Sequence, residues 1–303
     1  SASGRAQNVC SPVRRLFPFQ HDLVSWALRR GRAAVFADTG LGKTGMQIAW
    51  ADAVARHTSG DVLILAPLAV AAQTVAEGVA CGVEVTLCRD GADVRPGVNI
   101  TNYDRIHRFD ASRFSGVVLD ESSCIKHHEA KTLAILMDAF SSLPFRFCAT
   151  ATPAPNDWTE LGTHAEFLGV CTRAEMLAEF FCHDGGETQT WRLKGHARTA
   201  FWRWVASWGA MVRKPSDIGY DDAGYDLPPI EVVSRTVPTD AATLREGGVL
   251  FAQEAASLMD RRNARRGSIT ARVEMCAAEV MSEPDEPWIV WCDLNAESEA
   301  LTK

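Results

Sequence analysis

The stretch ADTGLGKT, residues 37–44, decides the fold class of this 303-residue chain. It follows an apolar run at residues 33–37, which predicts a strand, and it precedes a helical pattern at residues 46–55. Gly40 and Gly42 let the backbone turn tightly, so that its N–H groups can surround a phosphate that also faces the positive end of the helix. A glycine-rich turn between a strand and a helix therefore predicts a phosphate-binding loop.

The side chains of this loop suit a nucleoside triphosphate that carries a metal ion. Lys43 places a point charge against the β- and γ-phosphates, and the hydroxyl of Thr44 can bind Mg²⁺. We therefore predict ATP and Mg²⁺ as cofactors. The predicted nucleotide-binding residues of the loop are Thr39, Gly40, Leu41, Gly42, Lys43 and Thr44.

Apolar runs alternate with helical stretches along the first half of the chain. The runs lie at residues 33–37, 62–66, 98–101, 117–119 and 145–149. Continuous apolar runs are typical of strands buried on both faces, and strand–helix alternation predicts a parallel sheet with helices on both sides. We therefore predict an α/β fold whose ligands bind where the strands end.

Two adjacent carboxylates, Asp120 and Glu121, end the fourth run in the sequence GVVLDESS. Side by side at a strand end, they need a cation or solvent to compensate their charge. Beside the phosphate loop, Asp120 can hold Mg²⁺ through water, and Glu121 can act as general base. We predict Glu121, Lys43 and Asp120 as catalytic residues, with Thr44 and Asp120 on the metal. A solvated acidic turn is the alternative.

A hydroxyl-rich turn, TATP at residues 150–153, follows the fifth run. Hydroxyl side chains at this edge can hydrogen-bond the acidic motif and respond to its state. Alone, the pattern is also that of an ordinary Thr/Pro turn. Its position after the other two motifs favours a coupling role for Thr150 and Thr152.

Six motifs stand in the order that is typical of the first lobe of superfamily-two helicases. They are FPFQHDLVSWAL (17–28), DTGLGKT (38–44), LAPLAVAAQ (65–73), ITNYDRI (100–106), VVLDESSCIK (117–126) and ATATPAPND (149–157). Within them, residues 120–126, with the later VRKPSD at 212–217, resemble the Swi/Snf-type translocases in phage and bacterial form. The resemblance implies a RecA-like lobe and an ATP hydrolase that acts on nucleic acid.

The resemblance also implies roles for single residues. Gln20 would recognise adenine, and Thr150 and Thr152 would couple hydrolysis to lobe movement. Residues in the contact motifs for the nucleic-acid backbone would be Pro67, Gln73, Thr101, Asn102 and Tyr103, and Lys126 is the basic residue after the acidic box. Ser122-Ser123 replaces the Ala-His or Ala-Asp of related helicases, so the usual contact from the fourth box position to the coupling motif is not expected.

We divide the chain into four segments. Residues 1–15 are a loose lead-in, 16–160 the ATP-binding lobe, 161–235 an aromatic-rich extension with a linker, and 236–303 a helical segment with the beginning of a truncated second RecA-like lobe. Residues 287–292 (PWIVWC) predict a buried strand of that lobe, and residues 239–282 predict helix. Because the second lobe normally supplies arginines to the reaction, we expect the chain to bind ATP–Mg²⁺ but to hydrolyse it slowly.

An aromatic stripe marks the third segment. Phe201, Trp204, Val205, Trp208 and Met211/Val212 share helical spacing. This spacing predicts one helix with a core-facing side, and base stacking is the alternative.

The net charge of −7 excludes a generally basic surface, so nucleic-acid contact needs a local patch. Residues 259–272 hold five arginines, at positions 261, 262, 265, 266 and 272, that either grip the nucleic-acid backbone or pair with nearby acids such as Glu254 or Asp260. Other candidate contacts are Lys194, Arg203, Arg213 and Lys214. The nine cysteines form no CxxC pair and are expected to be buried, reduced thiols. No membrane span is predicted, and we expect a cytoplasmic protein of a bacterial or phage-infected cell.

Three hypotheses follow from these patterns. The first is an ATP-dependent DNA helicase or translocase that contacts the DNA backbone, present here as an N-terminal fragment. The second is the motor subunit of a restriction or recombination system, which shares the same motifs. The third is a module that binds nucleic acid under nucleotide control without productive turnover.

Overall fold

The computed structural model describes residues 16–126, 130–183, 191–225, 228–237 and 265–302. The chain separates into two compact units, one up to residue 227 and one from residue 228. Of the predicted aromatic-rich segment at residues 161–235, residues up to 227 belong to the first unit and residues 228–235 to the second. No helix in the described ranges is long and apolar enough to cross a membrane.

A parallel sheet forms the centre of the first unit. Its seven described strands are β1 Arg32–Ala37, β2 Asp61–Ala66, β3 Val85–Leu87, β4 Val98–Asn102, β5 Phe114–Asp120, β6 Phe145–Thr150 and β9 Gly209–Val212, in the order β3-β4-β2-β5-β6-β1-β9. A short antiparallel pair, β7 Phe181–His183 and β8 Trp191–Leu193, lies outside it. The predicted parallel α/β sheet is confirmed.

Helices cover both faces of this sheet. One face carries α1 Pro18–Arg30, α2 Lys43–Thr58 and α3 Ala71–Cys81; the other carries α4 Ala130–Phe140, α5 Leu161–Leu168, α6 Arg173–Phe180 and α7 Arg198–Trp208. Successive strand residues point to opposite faces, so Val118 packs under the first set of helices and Leu119 under the second. Both faces are buried, which explains why the strands are continuously apolar.

The strand order decides which loops meet. In a parallel sheet all strands end at one edge, so the phosphate loop after β1, the carboxylates after β5 and the hydroxyl turn after β6 share that edge. Because β6 lies between β1 and β5, the Thr150 turn stands between the phosphate loop and the acidic residues.

The predicted helical stripe is correct only as far as Trp208. Phe201, Val205 and Trp208 are buried on α7, but Met211 and Val212 belong to β9, which pairs with β1 at the end of the sheet. The backbone becomes extended at Gly209, and residues 209–212 pair with the otherwise unpaired edge of β1. The stripe therefore ends in a strand.

The second unit contains the helices Ile269–Ser282 and Asn295–Leu301. The predicted strand at residues 287–292 is wrong, because these residues have no regular secondary structure and Trp291 is 92% exposed. A strand needs a neighbour to pair with, and no strand is assigned in residues 228–237 or 265–302. The predicted helix at residues 239–282 falls partly outside the described ranges. The part outside is residues 239–264, which include Arg261 and Arg262.

None of the eight cysteines within the described ranges forms a disulfide. Of these eight, only Cys88 and Cys148 are buried, because their side chains lie in the hydrophobic core on one face of the sheet, whereas Cys292 is exposed. The expectation of buried thiols therefore holds for these two positions.

Candidate nucleotide-binding site

The phosphate loop lies between the end of β1 at Ala37 and the start of α2 at Lys43. Gly40 and Gly42 have φ angles of 82° and 74°, in the left-handed region that a side chain disfavours. A Cβ on Gly42 would stand 2.3 Å from Nε2 of Gln20, whereas one on Gly40 would meet open space. Glycine is therefore needed at position 42 for both backbone conformation and clearance.

Gln20 is buried on α1 and fastens this loop. Its Nε2 donates a 2.8 Å hydrogen bond to the carbonyl of Leu41, and its Oε1 accepts one of 2.9 Å from the Phe17 amide. Both polar atoms of the amide thus hold the backbone around the loop. Adenine recognition by Gln20 stays a prediction, while its observed contacts position the loop.

The Lys43 ammonium and the first turn of α2 make the loop suitable for binding an anion. Lys43 Nζ donates to the carbonyl of Asp38 at 3.3 Å and forms no ion pair with a described residue. The Thr39 amide donates to the Asp38 carboxylate at 2.7 Å. The positive end of the helix and a lysine that forms no ion pair with a described residue together favour the binding of a triphosphate.

A direct contact joins the phosphate-loop helix to the carboxylates. Gln47, one turn after Lys43 on α2, donates a 2.6 Å hydrogen bond from Nε2 to Oδ1 of Asp120. The Glu121 amide donates to the same oxygen at 3.0 Å. The sequence analysis did not predict a role for Gln47. The pattern that could have indicated it is a polar residue one helical turn after the lysine of the loop.

Burial sets the electrostatics of Asp120. Desolvation raises the pKa of its carboxyl above the ordinary range, and the charge of Glu121 acts in the same direction. The Gln47 hydrogen bond and the Lys43 charge oppose this rise. A cation bound beside Asp120 would favour the ionised form in the same way, so the site suits Mg²⁺.

Glu121 contacts the hydroxyl turn at residues 150–153. Its backbone is left-handed, with a φ of 48°, and its Oε2 accepts a 3.1 Å hydrogen bond from Oγ1 of Thr150. Thr150 Oγ1 also lies 3.3 Å from Oγ of Ser123 and accepts a bond from the Thr152 amide at 3.2 Å. The usual contact from Ser123, the fourth residue of the acidic box, to the turn at residues 150–153 was not expected. This expectation is wrong, because the Ser123 side chain is long enough for its hydroxyl to reach Thr150.

Two further buried residues hold the acidic box: His164, which lies outside the predicted motifs, and Tyr103, which the sequence analysis placed in a motif that contacts the nucleic-acid backbone. His164 on α5 lies 3.0 Å from Oγ of Ser122 through Nε2, and its ring packs edge-on against Phe36 of β1. Tyr103 donates a 2.7 Å hydrogen bond from its hydroxyl to the Asp120 carbonyl. Burial raises the pKa of Tyr103 well above its ordinary value, so the hydroxyl keeps its proton and donates.

The predicted nucleic-acid contacts are only partly exposed. Thr101, Asn102 and Tyr103 are all buried, which leaves their side chains little access to a nucleic-acid backbone. Gln73 is exposed and Pro67 partly buried. The side chain of Lys126 lies outside the described part of the structure.

Most of the other predicted cations already have partners. Lys194 donates to the carbonyls of Ala178 and Glu179, and Arg213 and Lys214 pair with Asp217 and Asp222. In the second unit, Arg265 pairs with Asp293 and Arg272 with Glu297. These pairs favour the solvated-face alternative for Arg265 and Arg272, whereas Arg203 and Arg266 are exposed without an ion pair to a described residue.

The sequence matches no protein-family profile and no curated protein. Solved structures are similar at the level of the fold. The SWI2/SNF2 ATPase core of Sulfolobus solfataricus, solved in complex with dsDNA, has a TM-score of 0.55 at 18% identity, covering 71% of this chain and 47% of that one. The UvsW helicase of bacteriophage T4 has a TM-score of 0.44 at 15% identity, covering 51% of this chain and 58% of that one. The Hef helicase domain of Pyrococcus furiosus has a TM-score of 0.43 at 18% identity, covering 52% of this chain and 37% of that one.

This chain spans about half the length of the SWI2/SNF2 core that it matches. At such identities the likeness concerns the fold alone. This likeness of fold agrees with the strand order, which places the phosphate loop, the carboxylates and the hydroxyl turn at one edge of the sheet. The first unit therefore has a RecA-like α/β fold, similar to that of the SWI2/SNF2 ATPase core.

Proposed function

We propose that this chain is an ATP hydrolase of the helicase or translocase type, which binds ATP–Mg²⁺ and couples its hydrolysis to movement along duplex DNA. The observation that carries the proposal is the hydrogen bond from Gln47 to Asp120. It brings the phosphate-loop helix and the acidic residues into one site. A triphosphate and its metal need these two groups together.

The residues around the loop fit the nucleotide. The amides of residues 39–44 and the Lys43 ammonium would hold the phosphates, and Thr44 with Asp120 would hold the metal. Bound Mg²⁺ supplies charge neutralisation on the triphosphate. Gln20 keeps the loop in place through Leu41.

Glu121 is the proposed general base. It would accept a proton from the attacking water, and its hydrogen bond to Thr150 gives the hydroxyl turn a means of responding to that step. Thr152, whose amide reaches Thr150, extends the same chain of contacts. This chain of contacts supports the coupling role of the two threonines.

Duplex DNA is the proposed partner. The solved SWI2/SNF2 ATPase core with this fold is in complex with dsDNA. Binding through phosphates and duplex shape would be independent of sequence. With a net charge of −7, the chain needs a local cationic surface for this contact.

The test measures ATP binding and hydrolysis with and without duplex DNA. Lys43→Ala should abolish ATP binding, whereas Glu121→Gln should bind ATP and stop hydrolysis. Glu166→Gln, on the exposed side of α5, is the matched control and should behave as the unmodified chain. ATP binding without hydrolysis in the unmodified chain, with or without DNA, would instead indicate a nucleotide-controlled binding module.

A further inference from the structure

We propose that Tyr103 is a positioning residue, through which nucleic-acid phosphates bound at an adjacent cationic turn act on Asp120 and Glu121. The inference rests on the proposed function and adds a route from the partner to the carboxylates. The cationic turn is defined by Arg105, His107 and Arg108, which lie in the short helix Tyr103–Arg108.

The peptide that links the two carboxylates is held at both of its polar atoms. Its carbonyl, on Asp120, accepts the 2.7 Å hydrogen bond from the Tyr103 hydroxyl. Its N–H, on Glu121, donates at 3.0 Å to Oδ1 of Asp120 itself. Tyr103 therefore fixes the orientation of the peptide from which both functional side chains depart.

This peptide needs such a contact because the sheet no longer holds it on one side. The pairing of β5 with β2 ends at Leu119 and Leu65, one residue before Asp120. The next residue, Glu121, is left-handed, a conformation that side chains with a Cβ disfavour and that surrounding contacts must maintain. The Tyr103 hydroxyl supplies one of these contacts where the ladder stops.

Tyr103 is suited to transmit a displacement because it is rigidly packed. Its ring is 3% exposed and lies in the core beneath the sheet, together with Ile106 of the same short helix. Movement of the turn therefore moves the ring, and the ring carries the hydroxyl that holds Asp120. Close-packed interiors pass on such shifts because they contain few voids.

The other end of this connection is positively charged and accessible. His107 and Arg108 are exposed and Arg105 partly so, and none of the three forms an ion pair with a described residue. Asp104 is the opposing acid in the turn, which leaves Arg105 and Arg108 in excess. The turn follows β4 at the same sheet edge as the carboxylates, separated from β5 by one strand. An excess of arginine without acidic partners fits the phosphates of a nucleic-acid backbone.

The experiment compares Tyr103→Phe, which removes only the hydroxyl, with Tyr220→Phe, which removes a surface hydroxyl bonded to Asp22. Single-turnover ATP hydrolysis is measured with and without duplex DNA, together with the ATP affinity by a fluorescent analogue and the melting temperature. Tyr103→Phe should lower the hydrolysis rate about five- to tenfold, the equivalent of one hydrogen bond, at unchanged ATP affinity. It should also reduce the effect of DNA on the rate, whereas Tyr220→Phe should change neither.

A second variant, Arg105→Ala with Arg108→Ala, tests the turn itself. Losing two phosphate contacts should weaken duplex binding and reduce the slope of log affinity against log salt by about 2. With duplex at saturating concentration, the arginine substitutions should lower the DNA-stimulated rate less in the Tyr103→Phe background than in the unmodified chain. Duplex affinity unchanged by the arginine substitutions overturns the inference.

Each remaining result has a defined meaning. A Tyr103→Phe chain with the unmodified rate and DNA response overturns the inference alone. A parallel fall in melting temperature, ATP affinity and rate shows a merely structural tyrosine and also overturns it. If the unmodified chain neither binds nor hydrolyses ATP, the proposed function itself fails, and this inference with it.

Discussion

Gln47 and Asp120 are 73 residues apart in the chain, yet their side chains form a 2.6 Å hydrogen bond. The bond joins the helix that begins at the phosphate loop to the carboxylate proposed to hold the metal. It uses Oδ1 of Asp120, together with the amide of Glu121. The orientation of this carboxylate is therefore set by a residue of the helix that begins at the phosphate loop.

Removing this contact should weaken metal binding. We expect Gln47→Leu to raise the Mg²⁺ concentration needed for half-maximal ATP binding about tenfold, because a hydrogen bond to a charged group orients Asp120. Gln73→Leu, at an exposed position on α3, is the control. A magnesium titration of ATP binding that is identical in both variants would contradict the positioning role of Gln47.

The clearance between Gly42 and Gln20 gives a prediction on stability. Gly42→Ala should destabilise the fold by about 1–3 kcal/mol and weaken ATP binding, because the left-handed backbone is strained and the new methyl group meets Gln20. Gly82→Ala has a similar φ of 72° but open space around it. Thermal unfolding should show a larger loss for Gly42→Ala, and equal losses would mean that the contact with Gln20 is unimportant.

Asp120 gives a prediction on pH. Its pKa is raised in the folded state, so the folded chain retains a proton that the unfolded chain loses, and ionisation costs stability as the pH rises above the ordinary value of 3.8. Asp120→Asn should therefore stabilise the ligand-free chain at neutral pH by about 0.5–2 kcal/mol while abolishing hydrolysis.

This gain should shrink as the pH falls through the raised pKa of Asp120 and vanish below the ordinary value of 3.8, where the carboxyl is protonated in both states. Chemical denaturation at several pH values measures it. A stabilisation that stays constant from neutral to acidic pH would show that desolvation of the carboxylate is not its cause.

The hydroxyl of Thr150 gives a prediction on coupling. Thr150→Val keeps the shape of the side chain but removes the hydrogen bond to Glu121, so the hydrolysis rate should fall about tenfold at unchanged ATP affinity. Thr86→Val, on the edge strand β3, serves as the control. Loss of ATP affinity in Thr150→Val would place Thr150 in nucleotide binding and not in coupling.

The motifs and most strands were predictable because their signals are local. A phosphate loop needs glycines at fixed spacing beside a lysine, and a strand buried on both faces needs a continuous apolar run. Residues 33–37, 62–66, 98–101, 117–119 and 145–149 all lie in strands of the sheet. Residues 287–292 carry the same apolar signal but no strand, because pairing depends on a neighbour that the run does not encode.

The sequence by itself determined the α/β class, the phosphate loop, the acidic couple and the hydroxyl turn, since each depends on the chemistry of adjacent residues. Only the tertiary structure decided that β6 separates β1 from β5, that residues 209–212 add a strand at the end of the sheet, and that Gln47, Tyr103 and His164 hold the acidic box. These contacts join residues far apart in the chain. Their partners are chosen by strand order and packing, which no local pattern specifies.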